Sequence, residues 1–287
     1  MKFKLSLATR RSLEGFAFIT PWLIGFIVFM AYPLGFSLYM SFTEVQVTAT
    51  KINFTFVGWD NYVYAFLSDN VFPVQLTSFI QESLITVPII VIFSLLVGLL
   101  INQDVWGRGL FRAIFFLPVI FSTSEVINSL FNQGAGGGNF LQRFNIFGLM
   151  LNALPEQLYQ PISTVLNRFT LVLWSSGVQI LLILAALKTI SGNVYEAAAI
   201  DGAGRWEVFW KITLPALTPF IVLITVYTIV DLSVSPFNPM LGSIRSHMFN
   251  VRTGMGYASA LGWIYFLLIL VSLVLVYTFG MRRTKRF

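Results

Sequence analysis

The stretch 196–217, EAAAIDGAGRWEVFWKITLPAL, gathers five charged residues, three large aromatics and a run of alanines and glycines in an otherwise oily chain. A charge-free apolar run, 169–187, precedes it, and a second, 212–230, begins inside it. Each run is close to the roughly 20 helical residues that cross a hydrocarbon core of about 30 Å. A polar cassette between two such runs is a turn between membrane helices. The chain therefore reads as an all-α integral membrane protein.

Composition agrees. Hydrophobic residues make up 56% of the 287 positions and charged residues 10%, whereas about a quarter of a soluble domain is charged. The net charge of +6 does not point to nucleic acid, because the basic residues are scattered at the ends of apolar runs rather than gathered in a patch. With no cysteine, disulfides and thiolate chemistry are excluded. The single histidine, His247, cannot build a metal cluster and is expected to be an ordinary loop residue.

Further charge-free runs occupy 15–43, 83–103 and 253–281, and a sixth apolar run, 109–131, is interrupted by Glu125. The sixth is counted as a span because 111–124, FRAIFFLPVIFSTS, is mostly apolar and because it returns both chain ends to one side. Lipid-exposed backbone must satisfy its own hydrogen bonds, so all six are expected to be helices. The spans are placed at 16–41, 83–103, 109–131, 166–187, 213–235 and 258–280, with a loop at 190–212, in one domain covering 1–287. With the N-terminus inside, the inner segments hold thirteen lysines and arginines and the outer segments five. That excess puts both termini and the polar cassette in the cytoplasm. A signal peptide is disfavoured at 1–43, since its apolar core should be only about 7–15 residues. The outer loops are 44–82 and 132–168. GAGGGN at 134–139 reads as a glycine turn, and 144–154 as a stretch lying at the outer interface.

Within the cassette, Glu196 to Ile200 is good helix material, with a glutamate in the first turn followed by alanines. Gly202 and Gly204 should stop that helix. A second helix is expected from about Arg205, with Trp206, Phe209 and Trp210 on one face and Arg205 and Lys211 as interfacial anchors. Pro215 should open the next span where a missing amide donor costs nothing. The first helix carries mostly methyl groups, so another protein can approach its backbone closely. A small knob with one acidic end suits a partner's cleft; a plain connecting loop is the alternative.

The spacing Glu196-Ala197-Ala198, three residues, Gly202, nine residues, Ile212-x-Leu214-Pro215 resembles the EAA loop of permease subunits of binding-protein-dependent ABC importers. The full stretch is similar to the carbohydrate branch, the maltose-type and glycerol-phosphate-type permeases. PWLIGFIVFMAYPLGFSLYMSF (21–42), FVGWDNY (56–62), LFNQGAGGGNF (130–140) and GYASALGWIYFLLIL (256–270) extend the resemblance along the chain. It implies a multi-pass subunit of a bacterial or archaeal cytoplasmic membrane. The loop helix between the fourth and fifth spans would dock on a cytoplasmic ATPase and transmit its closure. Glu196, Ala197, Ala198 and Gly202 match the motif, and Asp201 and Ala203 fit its sugar-branch form. The implied partners are two ATPase subunits, a second permease subunit and an extracytoplasmic solute-binding protein. The implied substrate is a carbohydrate, an oligosaccharide, and no cofactor is expected on this chain.

None of the six lysines follows a glycine, so no P-loop is present and ATP with Mg would sit on the partner ATPase. By distance from the loop, the substrate path implied by the resemblance passes near Trp174, Ser175, Val178 and Gln179, and near Thr228, Asp231, Leu232 and Ser235. The second set steps by 3, 1 and 3 and is expected to share a helical face. Glu125 and Asp231, carboxylates within spans, should face protein or water. They are candidates for sugar contact or packing, as Asn128 and Asn132 are for packing. A proton-coupled secondary transporter using Glu125 and Asp231 is the competing reading. A membrane enzyme lacks any catalytic cluster to carry it.

Overall fold

The computed structural model describes residues 7–47, 51–103, 109–110, 172–235, 238–250 and 252–284. Nearly all of the expected third span lies outside the described residues, together with Glu125, Asn128, Asn132, the second outer loop and residues 166–171. The described chain comprises α1 (Leu7–Phe26), α2 (Tyr32–Ser41), β1 (Thr43–Val47), β2 (Ile52–Phe56), α3 (Asp60–Leu67), α4 (Phe72–Asn102), α5 (Gly177–Lys188), α6 (Gly192–Ile200), α7 (Arg205–Val208), α8 (Leu214–Val234), α9 (Pro239–Met248) and α10 (Gly254–Thr284). Among the described residues four helical stretches are long and apolar enough to cross a membrane: Glu14–Ser41, Phe72–Asn102, Arg205–Val234 and Gly254–Arg282. A fifth is added if α5 and α6, bent by 64°, form one broken span.

Two of these stretches contain a π-helical segment, Ile27–Ala31 and Phe209–Thr213. Each is closed by an amide reaching five residues back, Tyr32 to the Ile27 carbonyl and Leu214 to the Phe209 carbonyl. In both, the next residue is proline, Pro33 or Pro215. A proline inside a helix has no N–H to donate and its ring crowds the carbonyl four residues back. Widening the preceding turn accommodates that ring without breaking the rod. The helical stretch is therefore continuous from Arg205 to Val234, with Pro215 in the first turn of α8 as expected.

One compact unit comprises Met1–Val74 and Gly242–Phe266. Here the segment expected as plain outer loop has structure of its own. β1 and β2 pair antiparallel, Thr43 opposite Phe56 and Val47 opposite Ile52. The FVGWDNY stretch then ties the hairpin to the end of α2. Gly58 turns the chain at φ 61°, where glycine meets no Cβ penalty. Asn61 donates to the carbonyls of Ser41 (3.0 Å) and Thr43 (3.1 Å). The hydroxyls of Tyr62 and Ser41 are 2.7 Å apart, and the Phe42 ring meets Trp59 edge-on. Gly256 lies so close to the Thr43 carbonyl that any Cβ there would collide with it.

The second membrane stretch starts at Phe72, well before the expected position 83. Asp69 is the reason: its Oδ1 accepts the amides of Val71 (2.8 Å) and Phe72 (3.1 Å), satisfying donors that the first turn leaves open. Glu82 does not stop the helix because its side chain is exposed. Asp69 Oδ2 accepts the Tyr257 hydroxyl at 2.6 Å. His247 is not a loop residue. It sits in the last turn of α9, its Nε2 3.8 Å from Asp69, its Nδ1 3.1 Å from the Thr253 hydroxyl, and its ring edge-on to Tyr257. The sequence carried no local sign of this, because Asp69 and Tyr257 are 188 positions apart.

The other unit comprises Gln75–Leu241 and Leu267–Phe287. Its core joins Val87 and Val91 of α4, Ile183, Ala186 and Leu187 of α5, and Leu217 and Ile224 of α8. Gly98 lets α4 approach the Ile183 side chain, and Gly280 lets α10 approach Val222. Small residues at such crossings allow close helix packing where lipid offers no hydrophobic drive.

Asp69 yields a pH prediction. Burial pushes its carboxyl up, but the Tyr257 hydroxyl, the amides of Phe72 and Val71 and nearby His247 outweigh that and hold it below the usual carboxylate value. The folded pKa is thus below the unfolded one, near 3.9, and the stabilisation is present above that value and lost as pH falls. With its side chain only 8% exposed, Asp69→Asn should cost about 1–3 kcal/mol. In detergent, the melting-temperature gap to wild type should be constant from about pH 6 to about pH 8 and shrink below about pH 4.

Candidate functional site

The polar cassette forms two short helices around a tight turn. α6 begins at Gly192, after Ser191 in extended conformation, one turn earlier than expected. Glu196 therefore sits at mid-helix rather than in the first turn, and gains little from the helix dipole. The helix ends as its glycines predict. Gly202 adopts φ 75°, its amide bonds to the Ala199 carbonyl (3.1 Å), and the Ala203 amide reaches back to Ala198 (2.9 Å). These two bonds around a left-handed residue form a Schellman cap. No atom lies within 4 Å of a Cβ built on Gly202, so backbone conformation, not space, requires glycine there. Gly204, extended at ψ 156°, then starts α7.

Only a narrow face of α6 is held by the rest of its unit. Ala198 is buried and the Tyr195 hydroxyl is 3.2 Å from that of Thr213, at the base of the helix that becomes α8. Glu196, Ala197, Asp201 and Gly202 are exposed, and Ala203 is half-buried. Beside them Ile200 is 87% exposed and Trp206 74%. Trp206, Phe209 and Trp210 cluster with ring centroids 5.1–6.2 Å apart, as their spacing predicts. Lys211 pairs with Glu207 at 2.7 Å. α6 thus presents methyl groups, an apolar rim and two exposed carboxylates, Glu196 and Asp201.

The expected substrate-path residues divide into groups. Gln179 of α5, 1% exposed, donates from Nε2 to the hydroxyl of buried Thr228 on α8 at 3.3 Å, and also hydrogen-bonds the Asp231 side chain. Its Oε1 is buried with no partner. Thr228 returns its proton to the Ile224 carbonyl at 2.8 Å. Trp174, Ser175 and Val178 are half-buried just before and at the start of α5.

Leu232 and Ser235 belong elsewhere. They line a cavity of about 80 Å³ with Phe79, Glu82, Ser83, Thr86, Asn238 and Pro239. Ser235 lies past the end of α8, with ψ 136°, so the four-residue face expected on α8 does not continue to it. A larger cavity of about 300 Å³ between α4, α8 and α10 is walled chiefly by apolar side chains. Its Thr225, Ser233 and Ser272 hydroxyls are all bonded to their own helix carbonyls. Sequence reasoning missed Tyr195 and Thr213, for which no local signal exists. It also missed Glu82, Ser83 and Thr86, whose helical spacing at the start of an apolar run was a usable sign.

No family model matches the chain. The probable ABC transporter permease protein YesP of Bacillus subtilis is 30% identical over 289 residues, spanning 93% of this chain and 90% of YesP. The lactose transport system permease protein LacF of Rhizobium radiobacter is 29% identical, over 77% of this chain and 73% of LacF. A solved bacterial alginate ABC transporter, in complex with a periplasmic protein carrying an alginate pentasaccharide, contains a chain that superposes with a TM-score of 0.63 at 22% identity. The match covers 98% of this chain and 99% of that one, and it shows a shared fold. With its apolar helices, this fold and a relative matched almost end to end, the chain belongs to the family of ABC transporter permease proteins.

Proposed function

We propose that the chain is one transmembrane subunit of an ATP-driven importer for a carbohydrate, an oligosaccharide, in the cytoplasmic membrane of a bacterium or archaeon. Six spans with both termini in the cytoplasm make up this subunit, and α6 is the cytoplasmic coupling helix between the fourth and fifth. A second permease subunit completes the path, two ATPase subunits bind ATP and Mg, and an extracytoplasmic binding protein delivers the sugar. This chain is not itself an enzyme. The sugar-transport relatives support the substrate class, and their partner proteins are the model for the assembly.

The observation that carries the reading is the bare helix α6, tied to its own unit mainly through Ala198 and the Tyr195–Thr213 contact while Ile200 and Trp206 stand clear. A partner's cleft would cover that apolar rim. Closure of the ATPase dimer would then push α6, and the Tyr195–Thr213 link would pass the displacement to the base of the helix carrying Thr228 and Asp231. Sugars offer rings of hydroxyl donors. The unpartnered Gln179 Oε1 and the Asp231 carboxylate are acceptors of the kind such a ligand requires, because a buried acceptor left empty costs about 1–3 kcal/mol. Asp231 therefore acts here as a polar contact on the path rather than as a proton carrier.

Two measurements test this. Glu196→Trp, at an exposed position, should leave the permease folded and inserted but abolish substrate-stimulated ATP hydrolysis by the reconstituted complex. Stimulation at the wild-type level would remove α6 from the coupling role. Asp231→Ala should lower sugar uptake about tenfold or more, the loss of one charge-assisted hydrogen bond, while complex yield after mild detergent extraction stays near wild type. Equal losses of uptake and yield would make Asp231 a packing residue.

A further inference from the structure

We propose that the small cavity at Glu82 is a vestibule that admits uncharged sugar rings and turns away acidic ones, an inference that rests on the carbohydrate reading above. The cavity is contributed by the N-terminal half of α4 (Phe79, Glu82, Ser83, Thr86) and by the chain that follows α8 (Ser235, Asn238, Pro239), with Leu232 at its edge. At about 80 Å³ it holds the volume of two or three waters, enough for the edge of one sugar ring. Phe79 and Ser83 are shared with the larger cavity, whose three hydroxyls on α8 and α10 are spent on their own helices, whereas Glu82, Thr86, Ser235 and Asn238 line the small one and not the larger. Here the wall carries the hydroxyls of Ser83, Thr86 and Ser235 and the carboxylate of Glu82, with Thr86 only 6% exposed and Glu82 exposed at the mouth. Asn238 is fixed by its own bonds, Nδ2 to the Ser233 carbonyl (2.9 Å) and Oδ1 from the Met240 amide (3.0 Å), so it holds the wall in place. Phe79 supplies an apolar surface against which a sugar face can lie.

Among the described residues lining it there are four hydroxyl or amide side chains, one carboxylate and no lysine or arginine. A uronate entering it would meet the Glu82 carboxylate at close range with no cation among those residues to compensate. Two like charges about 4 Å apart repel by about 1 kcal/mol in water and by more where protein lowers the dielectric. A neutral sugar meets no such barrier and gains an acceptor.

The chain has no cysteine, so a single-cysteine variant reports on its own position; Ser83 lines both cavities, whereas Ser235 lines this one and not the larger. Ser83→Cys and, as a second reporter, Ser235→Cys would be made in the full importer complex and labelled on this chain with methanethiosulfonates bearing a glucosyl or a glucuronyl group. Each rate is normalised to that of the same reagent with a small free thiol. The glucosyl reagent should react roughly five- to tenfold faster at low salt, with the ratio falling as salt rises. Adding Glu82→Gln should bring the ratio close to one. Equal rates with Glu82 in place, a ratio that survives Glu82→Gln, or no reaction with either reagent at both positions would overturn the proposal. The labelling ratio does not depend on ATP coupling, so failure of the importer reading and failure of this inference are separately visible.

Discussion

A backbone in hydrocarbon has no water to bond, so every amide and carbonyl must find its partner within the protein. That constraint accounts for the long uninterrupted helices and for where they deviate. Two X-Pro sites, Tyr32-Pro33 and Leu214-Pro215, follow a turn widened to π geometry, which lets the helix run on. It also accounts for the hydroxyls along α8 and α10, since Thr218, Thr225, Thr228 and Ser272 each donate to a carbonyl one turn back. Polar side chains inside these helices are largely self-satisfied and therefore quiet. The polar groups outside that pattern differ in how far the chain itself satisfies them.

Three places show the range. Asp69 spends both its oxygens on structure: one caps α4 and the other holds the Tyr257 hydroxyl beside His247. It ties segments far apart in sequence and needs no ligand. Gln179 is different, with Nε2 engaged by Thr228 and Oε1 buried and open. The Glu82 cavity is different again, its acceptors at a mouth rather than in a core. The three differ in how completely their hydrogen-bonding capacity is used within the chain.

The polar cassette shows how little tertiary contact a short helix requires. α6 is capped by its own backbone, through the Ala203–Ala198 and Gly202–Ala199 bonds, so it stays folded without being buried. Its alanines stabilise helix while adding no bulk. Among the described residues its polar side-chain link runs from Tyr195 to Thr213, at the base of α8.

Much of this was legible in the sequence. Span length and charge placement identify membrane helices, the Gly202 cap follows from a residue type that alone tolerates the left-handed turn, and the aromatic face of Trp206, Phe209 and Trp210 follows from helical spacing. These are local properties, set by a few neighbouring residues. What the sequence could not supply was anything that depends on a distant partner. The early start of α4 is decided by Asp69, which is itself held by Tyr257. His247 packs beside those two from the last turn of α9, and the expected face of α8 divides because the helix ends at Val234, before Ser235. Composition and periodicity determine which segments enter the membrane. Which polar groups meet there is decided by packing, because the energy of a buried hydrogen bond depends on two residues that the chain order keeps apart.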